Sequence, residues 1–103
     1  MERIHKLNEM LAASPNDCFL LHALGLEYVK TGEMEKAIHS FQKVIDCEPE
    51  YVGTYYHLAK TYERIRKVPD AIRIYESGIG VATKVKDMHA RNELQMALED
   101  LTD

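Results

Sequence analysis

Displaced on itself by 34 positions, the sequence sets Leu24 on Leu58, Tyr28 on Tyr62, Ala37 on Ala71, Ile38 on Ile72 and Ile45 on Ile79. Gly25 then meets Ala59, and Phe41 meets Tyr75. A fixed internal period of this size marks stacked supersecondary units, each unable to bury its apolar face alone. Within the first unit, Leu21, Leu24 and Tyr28 recur at helical spacing, and Met34, Ala37, Ile38, Phe41 and Ile45 do the same further on. Each set makes one apolar stripe on a helix. Gly32 stands between the two stripes and supplies the permissive backbone of a tight helix stop, so the unit reads as an antiparallel helix hairpin. The second unit repeats this plan, with Pro69 in the first turn of its second helix, where the missing N–H costs nothing. Only 5 Gly and 3 Pro are present and Trp is absent, a composition that favours helices over many short strands.

The residues at these positions resemble the tetratricopeptide repeat family. That pattern asks for a Leu-Gly pair, a Tyr three residues on, then an Ala, an aromatic four further and a Pro near the end. Leu24, Gly25, Tyr28, Ala37, Phe41 and Pro49 fill it in the first unit. Leu58, Ala59, Tyr62, Ala71 and Tyr75 fill most of it in the second, where Gly78 and Thr83 replace the small residue and the proline. Both units depart at the opening Trp, which is Leu21 in one and Tyr55 in the other. The resemblance implies an all-α fold of antiparallel helix-hairpin repeats in a right-handed superhelix, with about six helices.

Ile4, Leu7, Met10, Leu11 and Pro15 look like the second helix of an upstream repeat, and Ala90, Leu94, Ala97, Leu98 and Leu101 form a further amphipathic helix. The expected organisation is one domain: a half-repeat helix over residues 1–15, repeats over 18–51 and 52–85, and a capping helix over 86–103. Gly78 and Gly80 each weaken their helix by ~1 kcal/mol relative to Ala, so it is expected to end between Gly80 and Lys86.

In the family, the first helix of each repeat lines a concave groove that takes a peptide or helix. The stripe beside the core stripe of the first such helix is Phe19, His22, Leu26, Val29 and Lys30; its counterpart is Gly53, Tyr56, Lys60, Glu63 and Arg64. The candidate groove residues are therefore Phe19, His22, Leu26, Lys30, Tyr56, Lys60, Glu63 and Arg64. Aromatic anchors rimmed by Lys60 and Arg64 suit a peptide with an apolar side chain and an acidic group. Leu26 and Val29 read first as packing residues of a surrounded central helix, with ligand contact as the alternative. The family's clamp for the terminal carboxylate of heat-shock chaperones uses Lys and Asn where this chain has His22, Leu26 and His57, so chaperone-tail recognition is not expected.

The net charge of −4 argues against a nucleic-acid partner. Its distribution is uneven. Residues 87–103 carry Arg91 against Asp87, Glu93, Glu99, Asp100 and Asp103, which fits a solubilising cap. Residues 18–51 are acidic on balance and residues 52–85 basic, an asymmetry that suits either an acidic partner or a second copy. His5, His22, His39, His57 and His89 fall on different helices without a His-x-x-x-His pair, so no metal or other cofactor is expected. No phosphate loop, nucleophile elbow or concentrated carboxylate pair is present, so catalysis is not expected. The N-terminal residues lack the apolar region of a secretory signal and no apolar run is long enough to span a bilayer, which points to a soluble cytoplasmic protein with no membrane partner.

Cys18 and Cys47 are too few for a disulfide framework and read as reduced; they fall at the same end of the expected hairpin, where a regulatory bridge is the alternative. The functional expectation is a protein-interaction adaptor. The alternative is a homo-oligomerisation unit, because two full repeats lie below the roughly three that usually make a stable stack.

Overall fold

A computed structural model describes residues 2–103, and every element in it is helical. The helices are α1 (Glu2–Ala13), α2 (Cys18–Lys30), α3 (Met34–Cys47), α4 (Gly53–Arg64), α5 (Val68–Lys84) and α6 (Met88–Thr102). Each packs on the next in the chain, and α2 also touches α4. This second kind of contact turns a row of hairpins into a stack.

The turns after α2, α4 and α5 share one geometry. After α2, Glu33 N–H donates to Tyr28 C=O at 2.9 Å and Gly32 N–H to Val29 C=O at 3.1 Å, with Gly32 at φ +82°. After α4, Lys67 N–H reaches Tyr62 C=O and Arg66 N–H reaches Glu63 C=O; after α5, Asp87 N–H reaches Ala82 C=O and Lys86 N–H reaches Thr83 C=O. These paired bonds are Schellman motifs, which satisfy carbonyls that a helix end leaves open. Arg66 and Lys86, both at φ 62°, adopt the left-handed conformation that Gly32 takes freely. The hydrogen bonds impose it against a steric cost of ~1 kcal/mol.

Helix starts are less uniform. Asp17 accepts a hydrogen bond from Leu20 N–H at 3.1 Å, and Asp87 accepts one from Ala90 N–H at 3.0 Å. Aligned from these two caps, α2 and α6 superpose Leu24 on Leu94 and Leu26 on Met96. By this register α6 stands as a first helix of a hairpin, like α2 and α4.

The main core joins Phe41, Tyr55, Leu58, Ala59, Ile74, Tyr75 and Leu94, all buried. A second cluster seats α1 through Ile4, Leu7 and Leu11 against Leu21, Leu24 and Val44. Arg3 Nε donates to Glu27 Oε2 at 3.1 Å beside it. Two glycines leave no room for a side chain between packed helices. A Cβ added to Gly25 would stand 2.4 Å from Cε1 of Phe41, and one added to Gly78 would stand 2.7 Å from Cβ of Tyr55. Gly78 therefore belongs to the packing of α4 on α5, and α5 runs through both of its glycines to Lys84, within the expected window. Cys18 and Cys47 are free and lie at one end of the first hairpin, each thiol 3.8 Å from an oxygen of Asn16. Burial, followed by the charges of neighbouring groups, pushes the Cys18 thiol up, away from the reactive thiolate.

Candidate peptide-binding groove

The first helix of each hairpin brings different parts of the expected stripe together. On α2, Phe19 is 70% exposed, and its ring pairs with no other among the described residues. Leu26 and Val29 are half-buried and pack on the main core. Lys30 reaches Glu27 at 3.4 Å. On α4, the Lys60 ammonium lies 5.6 Å from the centre of the Tyr56 ring, close enough for a cation–π contact. Lys60 also approaches Glu63 at 3.6 Å. Glu63 accepts a short hydrogen bond from the hydroxyl of the buried Tyr75, so this carboxylate is anchored from below. Burial, and after it this bond, holds the Tyr75 phenol far above its ordinary titration range. Arg64 is exposed and forms no ion pair among the described residues.

His22 has a different setting from the one its spacing suggests. The histidines are not all separate: the rings of His22 and His57 stand 5.3 Å apart, edge to face, across α2 and α4. His22 also lies 5.6 Å from Phe41 and 5.7 Å from Tyr51, and its Nδ1 shares a 2.8 Å hydrogen bond with the buried Thr54 hydroxyl. Tyr56 meets His57 edge to face at 5.7 Å. The result is a continuous run of rings from Tyr51 to Tyr56. Desolvation, and secondarily His57, lowers the pKa of His22 to about 4; desolvation lowers that of His57 as well. Both imidazoles are neutral at pH 7, so they offer shape and hydrogen bonding without charge. Among the described residues no three His, Cys, Asp or Glu side chains are placed to hold a metal ion.

Two further residues of the first helices lie off the expected stripe. His57 lies one place off the expected stripe of α4, where the period sets it opposite Ala23, although it falls at a position of the family's carboxylate clamp. Met96, 66% exposed on α6, occupies the place that Leu26 has on α2 once the helices are aligned from their caps. The matching Asp residues at Asp17 and Asp87 are the signal for that register.

Comparison with known proteins agrees with this architecture. The TPR repeat family matches residues 25–65 and the tetratricopeptide repeat family matches residues 54–88. A TPR repeat-containing protein of Pseudomonas aeruginosa is 26% identical over 98 residues, which is 95% of this chain and 93% of that protein. The solution structure of a tetratricopeptide repeat domain protein from Salinibacter ruber is 39% identical with a TM-score of 0.81, over 85% of this chain and 89% of that one. A solution structure from Bordetella parapertussis reaches a TM-score of 0.82 at 26% identity, over 95% of this chain and 85% of that one. These matches and the shared hairpin stack lead to one assignment: the chain belongs to the tetratricopeptide repeat family and has its helical-repeat superhelix.

Proposed function

We propose that the chain is a protein-interaction adaptor, without chemistry of its own, that holds a peptide or helix of a partner along Phe19, His22, Leu26, Lys30, Tyr56, Lys60, Glu63 and Arg64. In this reading residues 1–15 are a half repeat, 18–51 and 52–85 are the full repeats, and 86–103 close the stack. The observation that carries it is the Tyr56–Lys60 pair. A cation held over an aromatic ring, with Glu63 locked beside it and Arg64 unpaired among the described residues, offers an apolar anchor and positive charge within one helix. Such a surface suits an acidic segment that carries an apolar side chain. Among the described residues no helix is long and apolar enough to cross a membrane, and the cytoplasm is the compartment we assign.

The test compares partners retained by the wild type and by a Tyr56→Ala, Lys60→Ala variant under native purification. A partner bound by the first and lost from the second supports the groove. An unchanged partner set removes this assignment.

Self-association is a second reading, favoured by the exposed Met88 (48%) and Met96 on α6 and by the opposite charge balance of the two repeats. Its test is sedimentation across a salt series. A strict monomer at every salt concentration excludes it.

A further inference from the structure

The two full repeats differ in how they fill the space between successive second helices. Between α3 and α5 that space is occupied. Tyr55 is buried there, its ring against Gly78 of α5 and its hydroxyl donating to Pro49 C=O at 2.6 Å. Ile74 is buried beside it on α5. One repeat earlier the same positions hold Leu21 and Ser40, both smaller. A recess of about 590 Å³ remains between α1 and α3, floored by Leu21, Leu24 and Tyr28 and walled by Leu11, Ser40 and Pro15, the counterpart of Pro49. It shares no residue with the groove stripe.

Three features define what fits. The floor is apolar, and the volume falls inside the range of about 300–1,000 Å³ typical of ligand pockets. Ser40 is buried as a residue, but its hydroxyl is not a buried orphan: it makes no hydrogen bond within the chain among the described residues and meets solvent, where it can donate to a partner's oxygen. The rim on α3 carries Lys36, His39 and Lys43 against Glu35. Lys36 is held by Glu33 at 3.0 Å, while Lys43 forms no ion pair among the described residues.

We infer that the α1–α3 recess is a second binding site, which receives an aromatic side chain carried on an acidic segment of a partner protein. The incoming ring supplies from outside what Tyr55 supplies from within the following repeat. Lys43 receives a flanking carboxylate. This site lies apart from the Tyr56–Lys60 surface and stands or falls without it.

The experiment titrates the full chain, labelled with nitrogen-15, with an acetylated heptapeptide holding one Tyr among Asp and Glu residues. The expected result is saturable movement of the Leu24, Ser40 and Lys43 amide signals, absent when the peptide's Tyr is replaced by Ser. A Leu21→Tyr, Ser40→Ile variant, which copies the second repeat's filling, keeps its helical signal and melting temperature and loses at least ~tenfold in affinity, the worth of burying one ring. Should that variant fail to fold, Lys43→Glu decides, with ~fivefold weaker binding expected from the reversed rim charge. No saturable movement at millimolar peptide overturns the inference, as does undiminished binding by the filled variant or, where that variant does not fold, by Lys43→Glu. Movement confined to Tyr56 and Lys60 overturns it while supporting the groove. Movement at the recess that follows protein concentration without peptide makes a second copy the occupant, and also overturns it.

Discussion

Gly25→Ala tests the packing of α2 on α3 most sharply, because two opposite effects of known size meet at one atom. In a helix interior, Ala is favoured over Gly by ~1 kcal/mol. At Gly25 the new methyl would lie 2.4, 2.7 and 2.8 Å from three atoms of the Phe41 ring, where ordinary carbon contacts are about 3.5–4.0 Å. Phe41 is fully buried in a close-packed interior, so the ring must retreat by roughly 1 Å and take α3 with it. Overpacking of this kind costs about 1–3 kcal/mol, and a shift of a whole helix places it at the upper end. The net expectation is destabilisation by about 2 kcal/mol. The second repeat carries Ala59 opposite Tyr75, so its helices already accommodate that methyl; the first would have to do so against α1 and α4 on either side.

Gly80→Ala is the internal control, since its Cβ would meet nothing within 4 Å, and it should stabilise by ~1 kcal/mol. Urea and thermal unfolding followed by circular dichroism separate the two, with each kcal/mol shifting the midpoint by about 4–8 °C in a domain of this size. Gly25→Ala combined with Phe41→Leu should be no less stable than Phe41→Leu alone, because the clash has gone. A Gly25→Ala protein as stable as wild type would refute the packing argument, and so would a double variant that still pays the full cost.

Three further outcomes follow from the geometry. Protonation is suppressed in folded His22 relative to the unfolded chain, which binds more protons between pH 6.5 and about 4. Stability should therefore fall as pH drops through that window, by about 2 kcal/mol for His22 after allowance for its half-exposed ring. Denaturation midpoints at pH 7 and pH 4 should show this loss, and His22→Gln should remove most of it; equal slopes in the two proteins contradict the assignment. Tyr75→Phe keeps the buried ring and removes the donor to Glu63, so unfolding free energy should drop by about 1–2 kcal/mol, and an unchanged value rejects the bond. Arg66→Gly relieves the left-handed backbone after α4 and should raise stability by ~0.5–1 kcal/mol in the same assay, whereas Gly32→Ala should lower it by about as much.

How much of this was legible in the residues varies by feature, for physical reasons. The hairpins were, because apolar spacing at the helical period reports which face a helix buries, and Gly32 marks a turn that needs positive φ. The turns at Arg66 and Lys86 share that geometry without its residue type, since the paired backbone hydrogen bonds that enforce it involve no side chain. The helix face that carries Phe19, Tyr56, Lys60 and Arg64, the proposed groove, follows from the helical period. That Leu26 packs inward and Glu63 is held by Tyr75 depends on neighbours far along the chain.

What the sequence determined by itself was thus the period, the helix faces and the family, each of which repeats locally and survives the exchange of one apolar residue for another. Tertiary structure alone decided the rest. It joined His22 to His57 and neutralised both by burial, it made Gly78 a contact for Tyr55, and it left the space beside Leu21 open where the next repeat fills it. Each of these depends on volumes and distances between different helices, and a linear pattern carries no measure of either.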